Sequence, residues 1–198
     1  MNVTFGLKAH SGWAALVVVG KRDDRVVVVD RRRIELVEKQ WAKQPYHAAE
    51  RLKPEAAQDL VKRGIAQAER TAVREMREAL TREAERGNDV AACAVLVASP
   101  MPDWTVDEIL AVHFRMHKAE GVMFPDALVR AAAACGLPVV PIPGKSLQSH
   151  AETTLGKPAA TRLLKTVATL GKSAGPPWGK DQKEAALAAL VALAAQSA

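Results

Sequence analysis

Asp181 and Glu184 stand three residues apart at the head of GKDQKEAALAALVAL (179 to 193), a segment that otherwise holds almost only alanine, leucine and valine. On a helix that spacing sets both carboxylates on one face. Their oxygens could there help hold a hard divalent cation such as Mg2+ or Mn2+. The same acids would also suit the positive N-terminus of a helix with no cation present. His113 and His117 lie four apart, the spacing by which two imidazoles share a zinc ion. Phe114 follows the first of them where a metalloprotease motif needs glutamate, and no third ligand is near in sequence, so the pair reads as ordinary surface or half-buried histidines. PIPGKS at 141 to 146 has the place of a phosphate loop between a strand and a helix, but Val139 stands where its first glycine is needed. A second GKS, at 171 to 173, follows a helix instead of a strand and has less claim. His10 and Ser11 adjoin in KAHSG, with no acid near in sequence to orient the histidine, which speaks against a nucleophilic serine.

The chain carries a net charge of +6 and a pI near 9.5. Between residues 141 and 183, Lys145, Lys157, Arg162, Lys165, Lys172, Lys180 and Lys183 face only Glu152 and Asp181. Such an excess suits a polyanion, and Lys145, Lys157, Arg162 and Lys165 are the expected nucleic-acid contacts. Aromatic residues make up 4% of the chain, too few for a row of rings on which bases would stack. Cys93 and Cys135 lie in apolar surroundings without metal or redox spacing, as reduced core thiols do. The sequence shows no charged-then-apolar leader and no apolar run long enough to cross a bilayer, so a cytoplasmic protein with no membrane partner is expected. With 198 residues, 48% of them hydrophobic, one domain over 1–198 is expected.

The elements that must position these groups follow from periodicity. Residues 3–7, 13–19 and 25–29 are rich in β-branched residues and joined by short polar links, as in an antiparallel meander, with DRRRIELVE prolonging the third strand. From about 47 to 86 apolar residues recur every three or four places among alternating charges, which predicts a long charged helix broken near Pro54 and Gly64. VAACAVLVAS, 90–99, has the length and apolarity of a central strand. Two helices are expected from TVDEILAVHFRMHKAEG and FPDALVRAAAACG, then a short strand in LPVVPIP, two modest helices, and the apolar final helix. The fold class is α/β: a mixed sheet with an antiparallel three-stranded meander followed by alternating helices and strands.

In this order the pieces resemble the RNase H-like superfamily, most closely the RuvC-type Holliday-junction resolvases. GLKAHSG at 6–12 stands where those nucleases carry G-I-D-P-G-S at the end of the first strand. The stretch from His117 to Gly156 is similar to the family's run of helix, proline-ended strand and lysine-bearing segment, and KDQKEAALAALVAL at 180–193 to its last helix. The resemblance implies two divalent ions held by acids from the first strand, the fourth strand and the last helix. Lys8 stands in place of the first of these acids, Ala98 and Ser99 in place of the second, and only Asp181 and Glu184 match. It therefore implies a degenerate site at Lys8, Ser99, Asp181 and Glu184, with Lys8 as the counter-ion of the two acids and no cofactor. A binding or scaffold module for structured DNA or RNA is the expected function. The alternative is a Mg2+- or Mn2+-dependent nuclease with relocated carboxylates, Asp103, Asp181 and Glu184. A role in protein interaction without nucleic acid stays open, as does a homodimer. An ATP-using actin-like relative would need a second glycine-rich phosphate loop.

Overall fold

The computed structural model describes residues 1–23 and 25–196. Three long strands open the chain, β1 (Asn2–His10), β2 (Trp13–Arg22) and β3 (Arg25–Glu35), paired antiparallel as a meander. β4 (Asp89–Val97) lies parallel to β1, and β5 (Val139–Pro143) parallel to β4, giving the order β3-β2-β1-β4-β5. The helices are α1 (Pro45–Ala49), α2 (Pro54–Glu85), α3 (Val106–Leu110), α4 (His113–Ala134), α5 (Leu147–Leu155), α6 (Lys157–Ala174) and α7 (Lys180–Ala195). The architecture is a mixed α/β sheet in which an antiparallel meander is followed by alternating helices and strands, as the sequence leads one to expect.

Strand alternation divides the core. Val3, Phe5 and Leu7 of β1, with Cys93 and Val95 of β4, pack against Ala68, Ala72 and Met76 of α2 and Phe124 and Leu128 of α4. On the other face Val17, Val19, Ala94 and Leu96 meet α7, which α5 and α6 cover in turn. That double covering explains why α7 is apolar all round, with every residue from Ala185 to Leu193 buried. A helix facing water on one side would show a stripe instead.

Two helical boundaries differ from expectation. α2 runs unbroken through Gly64, which is there for space: a Cβ on it would stand 2.7 Å from the Cβ of Pro45, where α1 packs. The break expected in the neighbourhood of Pro54 is real, and separates α1 from α2. The helices expected over 105–121 and 124–136 divide instead at Ala111–Val112, and α4 continues through Pro125. Pro125 lacks the N–H that would bond the carbonyl of Gly121, but Gly121 is exposed and water can take that acceptor.

Gly6 sets how near α7 comes to the sheet. A Cβ on it would fall 1.9 Å from the carbonyl oxygen of Ala185 and 2.9 Å from the Cβ of Ala189. Backbone, not a movable side chain, fills the space. Gly6→Ala should therefore lower stability by about 3 kcal/mol in urea unfolding, through overpacking that pushes α7 outward. Gly121→Ala, with nothing within 4 Å of its added methyl group, should be neutral or stabilise by up to about 1 kcal/mol in the same measurement.

Candidate functional site

The closeness of α7 to β1 delivers the acids of the last helix to the end of the first strand. Lys8 lies on the α7 face of β1, opposite Ala15 of β2 and beside Leu96 of β4. Its ammonium donates to Glu184 Oε2 at 2.5 Å and stands 2.9 Å from Asp181 Oδ1, partners some 176 positions away in sequence. His10, one step further along the same face, brings Nε2 to within 3.1 Å of the same Asp181 oxygen. Lys180 completes the group at 3.7 Å from the other oxygen of Glu184. Two carboxylates thus meet two ammonium groups and one imidazole.

Lys8, Asp181 and Glu184 are half-buried, whereas Lys180 is exposed. Burial alone would lower the Lys8 pKa, but its hydrogen bonds to Glu184 and Asp181 and their charges outweigh that and raise it above its ordinary 10.5. For Asp181 burial likewise opposes the charged form, and Lys8 and His10 overcome it, holding the carboxyl below its ordinary 3.8.

Neighbouring layers fix these side chains. The His10 ring stacks on Trp13 at 4.3 Å between centroids and 10° between planes, and the Arg33 guanidinium lies over the other part of that stack, 4.2 Å from the Trp13 ring. The loop leading to α7 is tied down from β3: Arg31 donates to the carbonyls of Ala174, Pro176 and Pro177 at 2.7 to 3.2 Å. Trp178 packs on Gly171 and donates its indole N–H to Val167 O at 3.0 Å. Gln182 Oε1 accepts the N–H of Gly179 at 2.9 Å, closing the first turn of α7.

Ser99 and Asp103 lie just past the end of β4 in an exposed loop. Among the described residues, no hydrogen bond or ion pair joins Asp103 to Lys8, Asp181 or Glu184. Lys145, in a single 3-10 turn after β5, and Lys157, Arg162 and Lys165 of α6 are exposed and form no ion pair among the described residues. In PIPGKS, residues 141–143 end β5 and residues 144–146 make that 3-10 turn, while the second GKS lies within α6.

Two expectations are corrected. An acid does attend His10, namely Asp181, which no inspection of the neighbouring sequence could supply. A third imidazole does attend His113 and His117: His47, brought by α1 to the start of α4. His10 and Lys180 are the members of the Lys8 group that the sequence reading left out of the site; the signal for His10 was the alternation that sets it two residues beyond Lys8 on the same face.

A Thermus thermophilus RuvC structure matches 98% of this chain and 96% of its own, at a TM-score of 0.52 and 16% identity. The fold is that of RuvC. T. thermophilus RuvC in complex with a Holliday junction substrate matches equally well, with a TM-score of 0.52 and 14% identity over 100% of this chain and 96% of that one. No family model and no curated protein sequence matches. No helix among the described residues of this RuvC-like chain is long and apolar enough to cross a membrane.

The ion pair makes stability depend on pH at both ends. Asp181 releases its proton more readily when folded, so its contribution is complete above about 3.8 and fades as pH falls through the lower folded value. Lys8 holds its proton more tightly when folded, so its contribution is complete below about 10.5 and fades as pH climbs past the raised value. Lys8→Met should cost about 2 kcal/mol at pH 7, because two half-buried carboxylates lose a charged donor. The difference between wild type and variant, read from urea midpoints across pH 3 to 8, should narrow toward acid as Asp181 takes up its proton.

Proposed function

We propose that this chain is a RuvC-like module that binds structured DNA or RNA, branched duplexes foremost, without cutting it. The observation that carries this reading is the ammonium of Lys8 between Asp181 and Glu184, at 2.9 and 2.5 Å. Phosphodiester cleavage by two divalent ions sets them about 4 Å apart and needs several carboxylates around them. Here an amine takes the position expected for one of those acids, a change of two charge units that repels the ions. The residues at this place do not fit a two-ion centre, and no cofactor is assigned to it.

The partner class rests on two supports. One is the shared fold with T. thermophilus RuvC, whose structure includes a Holliday junction substrate. The other is the set of exposed cations at Lys145, Lys157, Arg162 and Lys165, whose charge no neighbouring acid takes up among the described residues. Fold alone does not specify activity; the unpaired charge gives the proposal its chemistry.

Binding of branched, duplex and single-stranded DNA should be measured by filter retention at two or more salt concentrations. We expect branched DNA to bind most tightly, with affinity falling steeply as salt rises. Arg162→Ala with Lys165→Ala should weaken binding to every duplex and make the slope of log K against log salt shallower by about 2, near 0.9 for each phosphate no longer neutralised. Salt-insensitive or absent binding would refute the nucleic-acid reading. The alternative, a nuclease using Asp103, Asp181 and Glu184, predicts cleavage in Mg2+ or Mn2+ that disappears in Asp181→Asn; no cleavage is expected.

A further inference from the structure

A second cluster of chemically capable side chains lies on the opposite face of the sheet from Lys8, where α1 meets the first turns of α4. His47, His113 and His117 bring one ring nitrogen each to within 4.8 Å of one another. The Nε2 atoms of His113 and His117 are 3.1 Å apart. Ligands at about 2.05 Å around a tetrahedral zinc ion are about 3.3 Å from each other, so that edge already has the right length.

The third imidazole is prepared for a metal by its surroundings. His47 Nδ1 stands 2.7 Å from Glu120 Oε2. With Nδ1–H donating to that oxygen, the neutral ring keeps its lone pair on Nε2. That Nε2 is buried and has no hydrogen-bond partner among the described residues. Its ring lies 4.6 Å from that of His117 and 5.2 Å from that of His113. A buried acceptor without a partner is costly, and a cation among the three rings would satisfy it. The carboxylate behind a ligating histidine is the usual second support of zinc sites, since it fixes the tautomer and strengthens the ligand.

Glu120 is itself held in place. Its side chain is 4% exposed, and Oε1 accepts the backbone N–H groups of Tyr46 and His47, each at 3.1 Å. One carboxylate therefore anchors the start of α1, orients His47, and belongs to the helix that carries the other two rings. Pro45 seated against Gly64 of α2 completes the anchorage. His113 and His117 are exposed, which leaves the fourth position of the ion to water.

We propose that His47, His113 and His117 form a three-histidine site for Zn2+ or a similar imidazole-binding divalent metal, with Glu120 as its supporting carboxylate. Three neutral imidazoles favour zinc, copper, nickel and cobalt over magnesium and manganese, so the site does not compete for the hard ions of nuclease chemistry. It is independent of the nucleic-acid reading, and either can fail without the other.

The test uses the full untagged chain, stripped by chelator and then titrated with ZnCl2 by calorimetry. Co2+ serves as a second probe, whose visible absorption reports tetrahedral coordination. One ion should bind per chain. His113→Gln with His117→Gln, both at exposed positions, should abolish the cobalt bands while circular dichroism shows the fold intact. Glu120→Gln should weaken zinc about 10- to 100-fold, and His10→Gln with Lys8→Met should leave zinc binding unchanged. No zinc uptake at about 100 µM metal, uptake indifferent to the His113 and His117 changes, or uptake abolished by the His10 and Lys8 changes would each overturn the proposal.

Discussion

Everything at the Lys8 group depends on how close a helix can come to a strand. Gly6 leaves bare backbone on the α7 side of β1, and the carbonyl of Ala185 occupies the volume a side chain would have taken. Ala189, one turn further along α7, meets the same glycine, its Cβ 2.9 Å from where a Cβ of residue 6 would stand. Lys8 is two residues past the contact of Gly6 with Ala185, and Glu184 one residue before it, so the ion pair lies beside the close approach of the two backbones. Packing of methyl groups thus fixes the geometry of charges, because a core near crystal density transmits small displacements to whatever is attached at its edge.

Charge is distributed in the molecule in two distinct ways. Around α7 it is neutralised locally, carboxylates against ammonium groups, and β3 adds Arg31 to carbonyls of the preceding loop. On the outer side of α6 it is left uncompensated. The first arrangement holds the fold together and yields little long-range field. The second contributes almost nothing to stability but generates the potential that a phosphate backbone would meet. Lys8, already committed to two acids, adds little to that field despite its position at the strand end.

The strands were legible because β-branched runs and short links leave few alternatives, and the burial of α7 was legible in its lack of a polar stripe. Helix boundaries were less so. Pro125 and Gly121 read as interruptions in sequence, and the exposure of Gly121, whose carbonyl water can take up, makes a continuous α4 tolerable. Gly64 read as a breaker where it was a packing surface for Pro45. At the Lys8 group, types and spacing pointed to the acids and the lysine, but His10 was judged by its neighbours in sequence, and its acid comes from the other end of the chain. The His47 contact was illegible for the same reason: nothing in residues 44 to 50 indicates that a carboxylate from α4 will take up two backbone N–H groups there.

α1 shows why such long-range contacts decide chemistry. A helix of five residues cannot persist by itself, since nucleation costs more than its few hydrogen bonds return. Its place comes from Glu120 at its N–H groups, from Pro45 on Gly64, and from Tyr46 and Ala49, which pack with Val61, Ile109 and Met116. These contacts engage neither His47 Nε2 nor the rings of His113 and His117, so they do not depend on an ion among the three imidazoles. A cation bound among them would then stabilise the native chain only by mass action, in proportion to RT ln(1 + [L]/Kd). Zinc would act as a removable ligand of a finished fold, unlike the metal of a small finger domain that has no core of its own.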